Sequence, residues 1–170
     1  MIRLFKAGLI AALALYCITI GSAWKEWHAI YQPALIIHEM GHLVFIFFGQ
    51  FINIAGGSIF QLLLPIAFAS AAWSKGYRFM AAAITMTLGP SFFYMASYAS
   101  DAIVMQLPLV GFGDATSHDW NYLLTEMGVL ESTHFIAGLF VVLGYLSIVG
   151  GLVLGGIGFM RESQRESAWG

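Results

Sequence analysis

A five-residue motif near the start of the chain has the composition and spacing of a metal site. His38-Glu39-Met40-Gly41-His42 follows the pattern HExxH. Residues four apart lie on one face of a helix, so His38 and His42 can present two imidazoles to one metal ion. We expect Glu39 to lie beside them and to act on a metal-bound water rather than to bind the metal. Zinc hydrolases use this helical arrangement.

The surroundings of the motif are apolar. Residues 33–48 are otherwise almost all aliphatic or aromatic. Ionisable side chains at membrane depth are energetically costly, and they usually mark a functional site. The alternative is a polar patch packed between helices without a metal. Because the spacing and the setting agree, the motif favours metal binding, and hydrolytic chemistry follows from it.

The composition indicates a membrane protein. Of 170 residues, 59% are hydrophobic and 9% are charged, whereas a soluble domain has about 25% charged residues. We therefore expect an integral multi-pass protein of the cell (inner) membrane, in contact with the lipid bilayer. The net charge is only −2 and no basic run is present, so nucleic-acid binding has no support. The single cysteine, Cys17, cannot form an internal disulfide.

The apolar segments predict an all-α bundle of about five transmembrane helices in one membrane-embedded domain. The expected spans are residues 7–24, 30–48, 58–73, 79–100 and 135–160. The first also has the shape of a signal peptide, but its apolar stretch is longer than a usual signal core, and we expect it to be retained. In the last span, Ser147, Gly151 and Gly155 recur every four residues. Such a face lets another helix approach closely, either within the chain or in a second copy or partner subunit.

Residues 101–134 form the one long segment between expected spans, and it should lie at the membrane interface or re-enter the membrane. We expect a short helix over 118–130, anchored at the interface by Trp120 and Tyr122. A catalytic zinc usually has three protein ligands and a water, and this segment is rich in Asp and His. His118 or Asp119 is the preferred third ligand, since one can bind the metal while the other orients it. Asp101 and Asp114 remain alternatives.

The chain resembles the intramembrane zinc metalloproteases of the site-2 protease family. The resemblance covers roughly residues 30–125 and rests on the HExxH motif, the apolar half-helix after it, Gly49, and the following run to Gly56-Gly57. It implies that His38 and His42 bind zinc and that Glu39 is the catalytic acid and base. It also implies that an aspartate from a later segment completes the site. The Leu-Asp-Gly motif that carries this aspartate in the family is not present.

The corresponding function is hydrolysis of peptide bonds in membrane-spanning or juxtamembrane protein substrates. A helical substrate must be unwound before cleavage, which exposes backbone groups that lipid cannot satisfy. Residues 51–58 suit a β-hairpin or edge strand that could pair with such a substrate, with Asn53, Gly56 and Gly57 as binding residues. An ordinary interhelical turn is the alternative. A different class of function is a non-proteolytic membrane scaffold or regulatory subunit that keeps the metal but tolerates the loss of Glu39.

Five spans leave the membrane orientation open. They place an aromatic belt, five lysines and arginines, and the start of the HExxH helix on one face, and they place Arg3 and Lys6 on the other. Counting charges makes the first face cytoplasmic. The family resemblance implies the reverse, with zinc near the cytoplasm. The belt comprises Trp24, Trp27, Tyr31, Trp73 and Tyr77, and the five cations are Lys25, Lys75, Arg78, Arg161 and Arg165.

Overall fold

The protein is an all-α bundle, as the sequence predicts. The computed structural model describes residues 2–107 and 118–167, with side chains to residue 164, and no strand occurs in these ranges. The six helices are α1 (Ile2–Ser22), α2 (Tyr31–Val44), α3 (Gln50–Ser74), α4 (Arg78–Ser100), α5 (Asp119–Glu126) and α6 (Thr133–Ser167). Short 3-10 turns at Ile46–Phe48 and Leu130–Ser132 precede α3 and α6.

Among the described residues, four helical stretches are long and apolar enough to cross a membrane, so the chain is a membrane protein. They are α1, α3, α4 and the stretch Leu130–Gln164, which includes most of α6. The second expected span is shorter than predicted, because α2 has 14 residues and is therefore about 21 Å long. The hydrocarbon core is about 30 Å thick, so α2 is too short to cross it.

The predicted hairpin over residues 51–58 is wrong, because this stretch forms the first turns of α3. The helix starts directly after Gly49, whose φ of 84° turns the chain. Gly56 and Gly57 then lie inside the helix, where they let α2 approach. A side chain added at Gly56 would collide with Phe45, and one added at Gly41 would collide with the backbone of Gly56. Close packing therefore offsets the low helix propensity of glycine.

The central helix of the bundle is α4, which packs against α1, α3 and α6. Gly89 faces Ile148, while Gly151 faces Met86, so α4 and α6 run in opposite directions. The small-residue face predicted in the last span is used within the chain. Gly151 packs on α4, and Gly155 lies against α1 and α4.

The helix directions define two ends of the bundle. At one, which we call the basic end, Lys6 of α1 forms a 2.8 Å ion pair with Glu162 of α6, and Arg78 at the start of α4 lies beside Gly158. At the other, the α5 end, the last turn of α1 packs on Phe93 of α4. Accordingly α1 and α4 run toward the α5 end, while α3 and α6 run away from it.

Helix α2 lies at the α5 end, contrary to the prediction that it crosses to the opposite face. Its first residue, Tyr31, packs on Tyr94 with ring centroids 5.4 Å apart, and His38 packs on Tyr98. Both tyrosines belong to the last two turns of α4. The predicted aromatic belt is therefore divided, since Trp24 follows α1 at the α5 end whereas Trp73 stacks on Arg78 at the basic end.

Candidate metal centre

Two imidazoles and one carboxylate converge where α2 meets α5. Nε2 of His38 lies 2.8 Å from Oδ2 of Asp119, and Nε2 of His42 lies 3.2 Å from the same oxygen. One ligand atom from each of the three residues can be chosen so that all lie within 4.8 Å of one another. His38 and Asp119 are buried, and His42 is half-buried. The structure thus brings both histidines of the motif to Asp119, a residue 81 positions from His38.

The position of Asp119 depends on the burial of α5. Trp120 is 8% exposed and packs edge-on against Phe140 of α6, with ring centroids 5.1 Å apart. The backbone N–H of Asp119 donates to the Tyr98 hydroxyl at 3.2 Å. The prediction that Trp120 anchors at the membrane interface is therefore wrong. Its indole is part of the helix core because α5 packs onto α4 and α6, and this packing aims Asp119 at α2.

Hydrogen bonds on the far sides of the rings orient the two histidines. Nδ1 of His38 lies 3.2 Å from Oε1 of Gln61, whose amide nitrogen donates to the Ser91 carbonyl at 3.1 Å. Nδ1 of His42 lies 3.0 Å from the backbone oxygen of Asn53. Both partners of the Nδ1 atoms are acceptors, so each Nδ1 carries the proton. Each Nε2 is directed at Asp119, to which it donates a hydrogen bond when protonated, and after losing that proton it has the lone pair that a metal-binding imidazole needs.

The face of α3 that meets the histidines repeats every four residues as Asn53, Gly57 and Gln61. The Asn53 side chain donates to the His42 carbonyl at 2.6 Å. Between Asn53 and Gln61, a Cβ added at Gly57 would lie 2.6 Å from Nε2 of His38 and 2.7 Å from Nε2 of His42. Glycine at this position therefore keeps the space beside both ligand atoms clear of any side chain.

This donor set fits a zinc ion. Two neutral imidazoles and a carboxylate are the ligands of many catalytic zinc sites, with ligand atoms at about 2.0–2.2 Å from the metal. Tetrahedral ligands at that distance lie about 3.3–3.6 Å apart, so the distances of 2.8 and 3.2 Å would have to open by less than about 1 Å. Burial alone would raise the pKa of the Asp119 carboxyl, but the hydrogen bonds from His38 and His42 outweigh it and lower this pKa. Asp119 is therefore an anion.

Glu39 is half-buried on α2 beside the cluster. Its carboxylate interacts electrostatically with His38, His42 and Asp119. Among residues 2–107 and 118–164 it has no hydrogen-bond partner, which leaves it free to accept a proton. Glu39 therefore lies next to both histidines, as the spacing of the motif predicts.

The remaining predicted ligands lie outside the cluster. The His118 side chain caps α5, where its Nδ1 accepts the backbone N–H of Asn121 at 3.2 Å, so it cannot also turn to the histidines of α2. Asp101 caps the turn after α4 by accepting the backbone N–H groups of Gln106 and Leu107 at 3.0 and 2.9 Å. Asp114 lies outside the described residues.

The sequence alone predicts substrate binding by Asn53, Gly56 and Gly57 and predicts no orienting role for Gln61. In the structure Asn53 and Gly57 contact the histidines, and Gly56 packs on Phe45. The signal for Gln61 was present in the sequence, since a glutamine stands in an apolar helix four residues after Gly57. The orienting role of Gln61 could be inferred from this spacing only if residues 51–58 were known to be helical.

Comparison with known proteins gives no family for the chain. No protein-family model matches it, and neither does any curated protein or solved structure.

Proposed function

We propose that this protein is a zinc metalloprotease of the membrane, which hydrolyses peptide bonds in membrane-spanning or juxtamembrane segments of other proteins. The observation that supports it is the convergence of His38, His42 and Asp119, with Glu39 beside them. A purely structural cluster would not require two imidazole Nε2 atoms directed at one carboxylate oxygen, nor a glycine that leaves the adjoining space open.

The reaction needs an electrophile, a nucleophile and a proton carrier. His38, His42 and Asp119 would hold a zinc ion, and Gln61 and Asn53 keep the imidazoles oriented toward that position. Zinc bound there would supply Lewis-acid polarisation of a carbonyl and a water that is acidic near pH 7. Glu39 takes the proton of the attacking water and delivers it to the departing amine, which general acid–base catalysis requires.

The surface of α2 supports a membrane substrate. Ile36, Met40 and Leu43 are exposed apolar side chains on the same short helix as the ligands. Exposed apolar side chains beside a buried polar site suit contact with lipid or with the apolar segment of a substrate rather than with water.

The test is Glu39→Gln compared with the wild-type protein in detergent or vesicles. We expect about one zinc per chain in both proteins, because Glu39 is not a ligand. Cleavage of a membrane-anchored substrate should fall by roughly 10²–10⁴-fold, the usual contribution of a general base. Full activity of Glu39→Gln would contradict the proposed role of Glu39. Zinc in both proteins without cleavage in either would favour the metal-binding scaffold.

A further inference from the structure

The positive charges are concentrated at one end of the bundle. The α5 end has a single cation, Lys25, in the exposed turn after α1. All other lysines and arginines lie at or near the basic end, on the first turns of α1, in the α3–α4 turn, or late in α6. They are Arg3, Lys6, Lys75, Arg78, Arg161 and Arg165.

This division results from the position of α2. If α2 crossed the membrane, Arg3 and Lys6 would face away from Lys75 and Arg78. Because α2 lies at the α5 end, α1 and α4 run in parallel, and their basic first turns come together with the end of α6. Lysine and arginine close to membrane spans are retained on the cytoplasmic side, while Asp and Glu contribute little to orientation.

The metal centre is at the opposite end from these cations. Asp119 is bonded to Tyr98, near the last residue of α4, whereas Arg78 is the first residue of that helix. Tyr98 and Arg78 are separated by about 30 Å along the axis of α4, which is the thickness of the hydrocarbon core. The centre therefore lies near one membrane surface and the basic end at the other.

We propose that the basic end is cytoplasmic and that the metal centre opens to the extracytoplasmic side. This orientation is opposite to the one that the family resemblance implies. Resting on the proposed function, it also specifies the substrate class: extracytoplasmic juxtamembrane segments, and the adjoining turns of membrane helices, in exported or membrane-anchored proteins. A peptide on the cytoplasmic side would be separated from Glu39 by the thickness of the hydrocarbon core.

Two matched serine-to-cysteine variants test the orientation without any enzymatic assay. Ser74 ends α3 at the basic end, Ser132 precedes α6 at the α5 end, and both are exposed. The full chain is produced in the inner membrane of a bacterial host and treated with a membrane-impermeant maleimide. Wild type gives the background, since its single cysteine, Cys17, is fully buried.

We expect Ser132→Cys to be labelled in spheroplasts and Ser74→Cys to be labelled only in inverted membrane vesicles. The opposite pattern, or equal labelling of both variants in spheroplasts, would overturn the proposed orientation. Because the readout is thiol labelling, the result does not depend on whether the protein is a protease.

A second measurement addresses the substrate class. Two single-span reporters carry the same cleavable segment on the extracytoplasmic or on the cytoplasmic side, and each is coexpressed with wild type or with Glu39→Gln. We expect wild type to cleave the extracytoplasmic reporter at least tenfold faster, and Glu39→Gln to cleave neither. Preferential cleavage of the cytoplasmic reporter would refute the substrate class. Absence of cleavage together with the expected labelling would count against the proposed protease and leave the orientation intact.

Discussion

Two arrangements of histidine and aspartate lie next to each other in this protein, but only one of them has the geometry of a metal site. In one, His38 and His42 share a carboxylate oxygen of Asp119. In the other, Nε2 of His118 lies 3.4 Å from Oδ2 of Asp101 without the alignment of a hydrogen bond. Both arrangements contain histidine and aspartate, and Asp119 directly follows His118 in the chain. Residue type and sequence position therefore do not show which arrangement could bind a metal.

The two arrangements differ in which side-chain nitrogen and oxygen atoms are already hydrogen-bonded to the backbone. Both carboxylate oxygens of Asp101 accept backbone N–H groups, and Nδ1 of His118 accepts another. In the cluster, the backbone and Gln61 bind only the Nδ1 atoms, and the Nε2 atoms face the carboxylate of Asp119. A histidine that caps a helix is thus unavailable as a ligand, whereas one held through Nδ1 is prepared to be one.

The protonation states of His118 and Asp119 also differ between the two arrangements. Burial lowers the pKa of His118, and the nearby carboxylates of Asp101 and Asp119 offset this only in part. His118 is therefore neutral at pH 7, as its capping bond requires, because a protonated Nδ1 could not accept the N–H of Asn121. Asp119, with its lowered pKa, remains ionised under the same conditions.

The largest expected effect separates the two aspartates. Asp119→Asn should lose its zinc on purification, because an amide is a poor metal ligand, and the loss should exceed the roughly 10–100-fold reduction in affinity typical of residues behind a ligand. Asp101→Asn keeps an oxygen that can accept a backbone N–H, and it should retain about one zinc per chain. Metal analysis of both variants in detergent provides the measurement. Loss of zinc from Asp101→Asn alone would reverse the assignment.

A smaller effect is expected from filling the space beside the ligand atoms. Gly57→Ala places a methyl group within 2.6–2.7 Å of both Nε2 atoms, so the imidazoles must turn away, and zinc affinity should fall at least about tenfold. Gly8→Ala in α1 is the matched control, since nothing lies within 4 Å of its added Cβ. Competition with a chelator measures the affinities. Equal affinity in both variants would show that the metal does not depend on this space.

The smallest effect concerns the capping histidine. His118→Ala removes the side-chain acceptor at the start of α5 and should lower the free energy of unfolding by about 1 kcal/mol, as for other N-caps. Zinc content should remain that of the wild type if Trp120 keeps α5 in place. Thermal unfolding in detergent, followed by metal analysis, checks both points. Loss of zinc without a loss of stability would place His118 in the metal centre.

Much of the helical architecture could be predicted, because an apolar stretch of about twenty residues in a membrane must satisfy its own backbone hydrogen bonds and therefore forms a helix. The expected spans at 79–100 and 135–160 correspond to α4 and α6. The prediction failed where apolar length was ambiguous. Residues 30–48 looked like a span, yet the chain turns at Phe45 to Gly49, and residues 51–58 looked like a β-hairpin or edge strand, yet they are helical.

The sequence by itself determined the pair of imidazoles, since a spacing of four residues places His38 and His42 on one helical face whatever surrounds them. It also determined the membrane class, because so few charges cannot cover a soluble surface. Only the tertiary structure decided among His118, Asp119 and Asp101, because that choice depends on which side chains the backbone caps and on the burial of Trp120. It alone decided which end of the bundle is basic, since a helix too short to cross reverses the direction of every helix after it.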